Sequence, residues 1–378
     1  YLGRQDDHEE ARDQYEQALD VTPGDPKLRS RYAEYLAGQD DHEEARDQYE
    51  QALDVTPGDP KLRSQYAEYL AGQDDHEKAR DQYEQAIDIE PGDAGLRTGY
   101  ALYLARQDDH EEACDQYEQA IDIEPGNTRL RSRYAEYLAE QDDHEKARDQ
   151  YEQAIDIEPG NTHLHTVYAE YLAGQDDHEE ARDQYEQAID IEPGNTRLRT
   201  VYAEYLASQD DHKEAYDQYE QAIDIEPGNT GLRTAYAEYL ASQDDHEEVR
   251  DQYEQAIDIE PGDTDLRSRY AEYLASQDDH EEARDQYEQA IEINPGDTVL
   301  RCWYAEYLAS QDDHKEARDQ YEQIIDIEPG DAGLRTVYAE YLASQDDHEE
   351  AQKQYEQAIE IDPGDAGLRI VYAEYLME

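Results

Sequence analysis

The sequence is short of positive charge. Its 378 residues carry 32 Lys and Arg against 100 Asp and Glu, which gives a net charge of −68. Nucleic-acid binding requires clustered cations that displace counterions from phosphates, so this composition excludes that function. The same sign argues against attraction to anionic membrane surfaces. A cationic partner, or a salt-rich environment, fits the charge instead.

Other residue types and segments are also scarce or missing, and this restricts the classes of protein to which the chain can belong. The sequence has no Phe and two cysteines, Cys114 and Cys302, which stacked helices would hold too far apart for a disulfide. No run of 18 apolar residues is present, so membrane insertion is not expected. No signal peptide is recognised, and the start at Tyr1 suggests a processed product or a fragment. The compartment stays open: a soluble protein, cytoplasmic, or extracellular if it belongs to a surface filament.

A 34-residue period organises the whole chain. Proline recurs at this interval from Pro23 to Pro363, and the segments between follow a phrase close to PGDTGLRTVYAEYLASQDDHEEARDQYEQAIDIE. We number the repeat so that the recurrent proline is position 32 and Pro26 is position 1 of the next copy. The uniform acidity of the copies, with few lysines, is similar to that of proteins from extreme halophiles. A generally soluble, self-repelling rod explains it equally well.

Each repeat predicts two amphipathic helices, A and B. Apolar residues at positions 3, 7, 10 and 11 form one stripe on helix A, and those at 20, 24, 27 and 28 form another on helix B. Asp25 at position 34 is placed to cap helix A, with Pro26 at the first helical position. Asp41 at position 16 and Glu44 at position 19 have the spacing of a capping box for helix B.

This pattern resembles the tetratricopeptide repeat, with Ala at 8, 20 and 27, Tyr at 24 and Pro at 32, in about eleven copies. It departs from the family at position 4, where Arg replaces the common Trp, and at position 15, where Asp replaces Gly. The resemblance implies an all-α fold: a right-handed superhelical α-solenoid of antiparallel helix pairs, with helix A on the concave side. It also implies recognition of peptides or proteins. We expect one continuous solenoid over residues 1–378, with half repeats at 1–25, mainly helix B, and 364–378, helix A only.

The candidate chemical groups have structural explanations. The segment Asp40-Asp41-His42 recurs in every copy and could ligate a metal, but a cap and a first helical residue account for it. Identical His copies are not a catalytic constellation, and no nucleophile–base pair is evident, so we expect no enzyme activity, metal or cofactor. The 35 tyrosines fit packing better than stacking on sugars or bases. Arg at position 4 is expected to pair with carboxylates at positions 25 or 29 of the preceding helix B.

The sequence differences among copies point to a binding face. Positions 2, 6, 9 and 13 form a stripe on helix A beside the core stripe, and in the family this stripe faces the groove. The stripe carries a row of glutamates at position 9 and a second row of residues, at positions 2 and 6, that differ among copies. Neutral drift on a solvent-exposed face would also produce such differences. The candidate groove residues are Glu34, Glu68, Arg129, Glu136, His163, Glu170, Arg197, Glu204, Glu238, Glu272, Trp303, Glu306 and Glu340.

Two roles follow from these features. The first is a scaffold that binds a peptide or protein, possibly basic, in the concave groove. The second is a structural protein that stacks head-to-tail with copies of itself, because each end of the chain shows the ordinary apolar pattern of the repeat. The candidate residues for this end-to-end contact are Tyr15, Leu19, Leu368, Tyr372, Tyr375 and Leu376.

Overall fold

A computed structural model describes residues 2–377, with side chains of residues 2–7, 9 and 10 left undescribed. The described residues form 22 α-helices, which fall into two compact units divided between Pro193 and Gly194. Within each unit, helices A and B of a repeat pack as an antiparallel pair and successive pairs stack. Each unit is therefore a tetratricopeptide-type α-solenoid, as the sequence predicts, whereas continuity of one solenoid over the whole chain remains a prediction.

The first unit contains α1 (Leu2–Val21), α2 (Pro26–Ala37), α3 (His42–Val55), α4 (Pro60–Gly72), α5 (His76–Ile89), α6 (Ala94–Arg106), α7 (His110–Ile123), α8 (Thr128–Glu140), α9 (His144–Ile157), α10 (Thr162–Gly174) and α11 (His178–Ile191). The second contains α12 (Thr196–Ser208), α13 (His212–Ile225), α14 (Thr230–Ser242), α15 (His246–Ile259), α16 (Thr264–Ser276), α17 (His280–Ile293), α18 (Thr298–Ser310), α19 (His314–Ile327), α20 (Ala332–Ser344), α21 (His348–Ile361) and α22 (Ala366–Tyr375). Even-numbered helices are helices A, and odd-numbered helices are helices B.

The core consists of the predicted stripes. Tyr66 and Leu70 of helix A and Ala79 and Tyr83 of helix B are all buried, and the same positions are buried in most copies. The tyrosines form stacked groups between repeats: the Tyr49 ring centroid lies 5.3 Å from that of Tyr66 in the next repeat. Offset aromatic contacts of this kind stabilise a core beyond the apolar area that they bury.

Helix A begins as predicted. The side chain of Asp25 accepts hydrogen bonds from the backbone amides of Lys27 and Leu28, at 2.9 and 3.2 Å. Asn127 does the same in a later copy, for the amide of Leu130 at 3.0 Å. These bonds satisfy amides that lack partners inside the helix, so the boundary is encoded locally.

The turn from helix A to helix B depends on a left-handed aspartate. Ten aspartates at position 15 have positive φ, as in Asp40 with φ 63°. Asp is one of the few residues other than Gly that adopts this region, because its short polar side chain bonds locally. The turn therefore forms without the family's glycine, and the backbone amide of Asp41 closes it on the carbonyl of Leu36 at 3.0 Å.

The predicted cap of helix B is wrong in most copies. The Asp41 side chain makes no capping hydrogen bond to the start of α3. It accepts instead from Arg12 Nη1 on the preceding helix B, at 2.9 Å, and the same Arg12 guanidinium binds Glu44. Stacking of the repeats places the Arg12 guanidinium where it binds both carboxylates of the expected capping box, Asp41 and Glu44.

The predicted partners of Arg at position 4 are also wrong. Arg63 donates to the Pro57 carbonyl at 2.9 Å and to Gln82 Oε1 at 2.6 Å, with no carboxylate. The carboxylate at position 25, Glu50, accepts the hydroxyl of Tyr66 instead, at 3.0 Å. Arg at position 4 thus bonds the end of the preceding helix B to its own helix B.

The first helix differs from its prediction as well. The spacing of the repeat predicts that the first helix B begins at His8, after Asp6-Asp7, but α1 runs unbroken from Leu2 to Val21, and Tyr1 lies outside the described residues. The left-handed turn at the DDH segment of other copies packs between two helices.

Candidate groove site

The solvent-exposed face of helix A carries the predicted groove residues. All thirteen of them are exposed, while positions 7, 8 and 11 of the same helices face the core. The reason is the helical period, which places positions 2, 6, 9 and 13 on one side and the core stripe beside them. Helix A therefore has an exposed stripe of residues beside its core stripe.

In the second unit this face forms a concavity of about 530 Å³. We call it the Trp303 concavity. It lies along α14, α16 and α18, with Tyr253 of α15 at its base. Its lining residues are Glu238, Ala241, Tyr253, Asp265, Ser268, Arg269, Glu272, Tyr273 and Trp303.

Arg269 organises the charges in the Trp303 concavity. Its Nη1 lies 3.0 Å from Glu238 Oε1 on the neighbouring helix A, and its Nε lies 3.0 Å from Asp265 Oδ2 one turn earlier on its own helix. The hydrogen bond to Asp265 is the main cause that raises the pKa of Arg269. Burial, with a contribution from Glu238, raises the pKa of Tyr253 to about 12, so its hydroxyl is protonated at neutral pH.

A second concavity of about 270 Å³ lies on the same face in the first unit. Leu102 replaces the usual glutamate at position 9 here, and two cations, Arg106 and Arg133, face two carboxylates, Glu136 and Glu140. Its charged lining residues therefore balance, whereas three carboxylates outnumber one arginine in the Trp303 concavity. The same fold position offers two chemically different surfaces.

The structure gathers only some of the predicted groove residues in these concavities. Glu238, Glu272 and Trp303 lie in one, and Glu136 lies in the other. The sequence reasoning missed Arg269 and Asp265. Their signal was present, because an acidic residue four positions before an arginine on the exposed stripe predicts an ion pair.

The residues predicted for an end-to-end contact differ in their surroundings. Tyr15 is half-buried and its ring stacks on that of Tyr32, with centroids 5.1 Å apart. Leu19 packs in the same cluster. On α22 no residue is buried, and Leu376 is 59% exposed. Stacking between copies remains a prediction.

Between residues 2 and 377, no three His, Cys, Asp or Glu side chains converge where they could hold a metal ion. In that same part of the chain, no helix has both the length and the apolar content that a membrane span requires. Cys114 and Cys302 are both free thiols.

Comparison with known families gives a match over most of the chain. A model described as tetratricopeptide repeat matches residues 36–102, 104–171, 206–267, 240–301, 274–341 and 308–366. A second model of the same description matches residues 1–60 and 166–230. A search of the curated proteins found no match.

Several solved structures are similar to this chain at low sequence identity. Yeast Tom70 is 14% identical over 100% of this chain and 93% of its own, with a TM-score of 0.42. The structure of Naa15/Naa10 bound to HypK-THB is 16% identical over 96% of this chain and 62% of its own, with a TM-score of 0.45. YrrB, described as a TPR protein with an unusual peptide-binding site, is 19% identical over 52% of this chain and 97% of its own, with a TM-score of 0.34.

Proposed function

This chain belongs to the tetratricopeptide repeat family, and we propose that it binds a peptide or protein partner on the solvent-exposed faces of its helices A. Proteins of this family generally mediate protein–protein interactions and are typically not catalysts. The finer proposal, that helix A carries the binding face, is supported by one observation. The concavities on this face include residues at positions 2, 6 and 13, which vary among copies, beside residues at positions that hardly vary.

The charge of this face favours a basic partner. Glutamate occupies position 9 in nearly every copy and is exposed there. With a net charge of −68, the chain also draws cationic segments towards it before contact. An extended peptide fits best, since within a unit the stacked helices A present the same exposed stripe once per repeat and can contact successive side chains.

Selection from a random peptide display library against the full chain tests this proposal. We expect the selected peptides to be enriched in Lys and Arg, and their affinity at 150 mM salt to be measurable by calorimetry. The groove variant Glu238→Lys with Glu272→Lys should weaken binding by at least about tenfold, because it reverses two charges in the concavity.

The matched control is Asp217→Lys with Asp251→Lys, which makes the same change of charge at exposed positions on helices B. This variant should bind nearly as well as the unaltered chain. If both double variants weaken binding equally, the peptides are attracted by net charge alone and helix A is not the binding face.

A further inference from the structure

The Trp303 concavity supports a more specific inference, which rests on the proposed function. We propose that it receives one arginine or lysine side chain of a basic peptide. The cation lies against the exposed Trp303 indole and is held by the carboxylates of Glu272 and Glu306.

The aromatic part of this site is Trp303, which is partly exposed to solvent in the lining of the concavity. Trp303 is the only tryptophan of the chain, at a position where other copies carry Arg, Gln, Gly, Val or Ala. Its side chain is 38% exposed, and Val299, four residues earlier on α18, is 54% exposed. An indole face is the strongest aromatic partner for a cation, so this surface suits a charged side chain with an aliphatic stem.

The carboxylates of the site are not equally available. Glu238 and Asp265 are both engaged by Arg269, at 3.0 Å each. Glu272 lines the same concavity and forms no ion pair among the described residues. Glu306 lies three residues after Trp303 on α18 and is exposed, which places it beside the indole. Two carboxylates without an ion pair among the described residues are therefore near Trp303: Glu272 in the lining of the concavity, and Glu306 about one helical turn away on α18.

The net charge of the lining of the Trp303 concavity also favours a cation. Glu238, Asp265 and Glu272 carry three negative charges against the single positive charge of Arg269, so the lining has a net charge of −2. An anionic ligand is repelled, and a cation gains from both the indole and the carboxylates. The concavity in the first unit, with two arginines against two glutamates and Leu102 in place of the glutamate at position 9, provides an internal contrast.

The single tryptophan makes the test specific, because its fluorescence reports on this site alone. The probe is a blocked nine-residue Gly/Ser peptide with one central arginine, titrated into the full chain at 150 mM salt. The matched probe has citrulline, a neutral side chain of nearly the same shape. We expect saturable quenching or a shift of Trp303 emission with arginine, and at least about tenfold weaker binding with citrulline.

Two variants locate the site. Glu272→Gln should weaken arginine-peptide binding by about fivefold to tenfold, and Glu140→Gln, in the other concavity, should change it less than twofold. Equal weakening by both variants would overturn the proposal, because it shows general attraction to a polyanion. Equal binding of the arginine and citrulline probes would also overturn it.

These failures are distinct from failure of the proposed function. If citrulline binds as well as arginine, the groove still binds peptides and only the charge recognition is wrong. If neither probe changes Trp303 emission, this concavity is not a cation site, while the library selection judges peptide binding by the chain independently.

Discussion

Arg80 on α5 donates from Nη1 to Asp109 Oδ2 at the start of α7, with the two atoms 3.1 Å apart. This bond links the helices B of successive repeats, and it draws the aspartate away from the cap of its own helix. In one repeat Cys114 stands at position 21, where Arg80 stands in its own repeat. The aspartate at the start of the next helix B, Asp143, then accepts a hydrogen bond from the backbone amide of Lys146 in its own helix, at 3.5 Å. The arginine therefore decides whether the aspartate caps its helix or joins two repeats.

A double-mutant cycle on Arg80→Ala and Asp109→Asn should give a coupling free energy of about 0.2–1 kcal/mol, since both side chains are partly exposed. The coupling should shrink in molar salt, which screens such pairs. Urea unfolding of the four proteins measures it. The same cycle on Cys114→Ala and Asp143→Asn serves as the control and should give no coupling; similar values for the two cycles would contradict the role of arginine.

The left-handed aspartates predict an asymmetric pair of variants. Asp142 has φ 59°, a conformation that costs most residues about 1–2 kcal/mol and glycine almost nothing. Asp142→Gly should raise the free energy of unfolding by about 0.5–1 kcal/mol. Asp142→Ala removes the same charge, but alanine does not adopt this φ easily, so this variant should lower the free energy of unfolding by about 1 kcal/mol. If both variants shift urea unfolding in the same direction, charge and not backbone conformation dominates this turn.

The buried tyrosine hydroxyls predict opposite effects of one substitution. Within residues 2–377, Tyr117 is fully buried and its hydroxyl has no hydrogen-bond partner, whereas the Tyr134 hydroxyl donates to Glu118 at 3.2 Å. Tyr117→Phe should therefore leave stability unchanged or raise it by about 1 kcal/mol, and Tyr134→Phe should lower it by about 1–2 kcal/mol. Chemical denaturation of the two variants checks this. A larger loss in Tyr117→Phe than in Tyr134→Phe would count against the described packing.

The tyrosines also predict alkaline unfolding. Burial is the largest cause that raises the pKa of Tyr32, Tyr137 and Tyr338 to about 12, above the ordinary value of 10. Since the folded state holds these protons more tightly, its stability is complete below pH 10 and falls as the pH rises towards 12. Tyrosinate absorbance and helical circular dichroism should change together in this window. Full ionisation near pH 10 with intact helices would refute it.

The net charge of −68 predicts stabilisation by salt. Repulsion between acidic repeats opposes the stacked state, and added ions screen it over a distance of about 10 Å at 0.1 M and about 3 Å at 1 M. The thermal midpoint, followed by circular dichroism, should rise between dilute buffer and molar NaCl. Sucrose of equal osmolality is the control and should give a smaller rise. An unchanged midpoint in molar salt would exclude self-repulsion as a limit on stability.

Much of the geometry of the candidate binding face could not be predicted from the sequence, for a physical reason. The exposed stripe on helix A follows from the 3.6-residue period, so Glu238, Glu272 and Trp303 could be named in advance. That Arg269 bonds Glu238, 31 residues earlier, depends on how two repeats stack. The depth of a concavity depends on the same stacking, which no local pattern encodes.

The sequence by itself was sufficient for the period, the helix pairs, the core stripes and the caps of helix A. These features depend on residues within a few positions of one another: Asp59 reaches the amides of Lys61 and Leu62 across three residues. The partners of the position 16 aspartates and of Arg at position 4 required the tertiary structure. Arg80 and Asp109 are 29 residues apart, and a contact at that separation forms only when two repeats are already stacked. Once formed, it outcompetes the local cap, because a guanidinium is a stronger partner for a carboxylate than a backbone amide is.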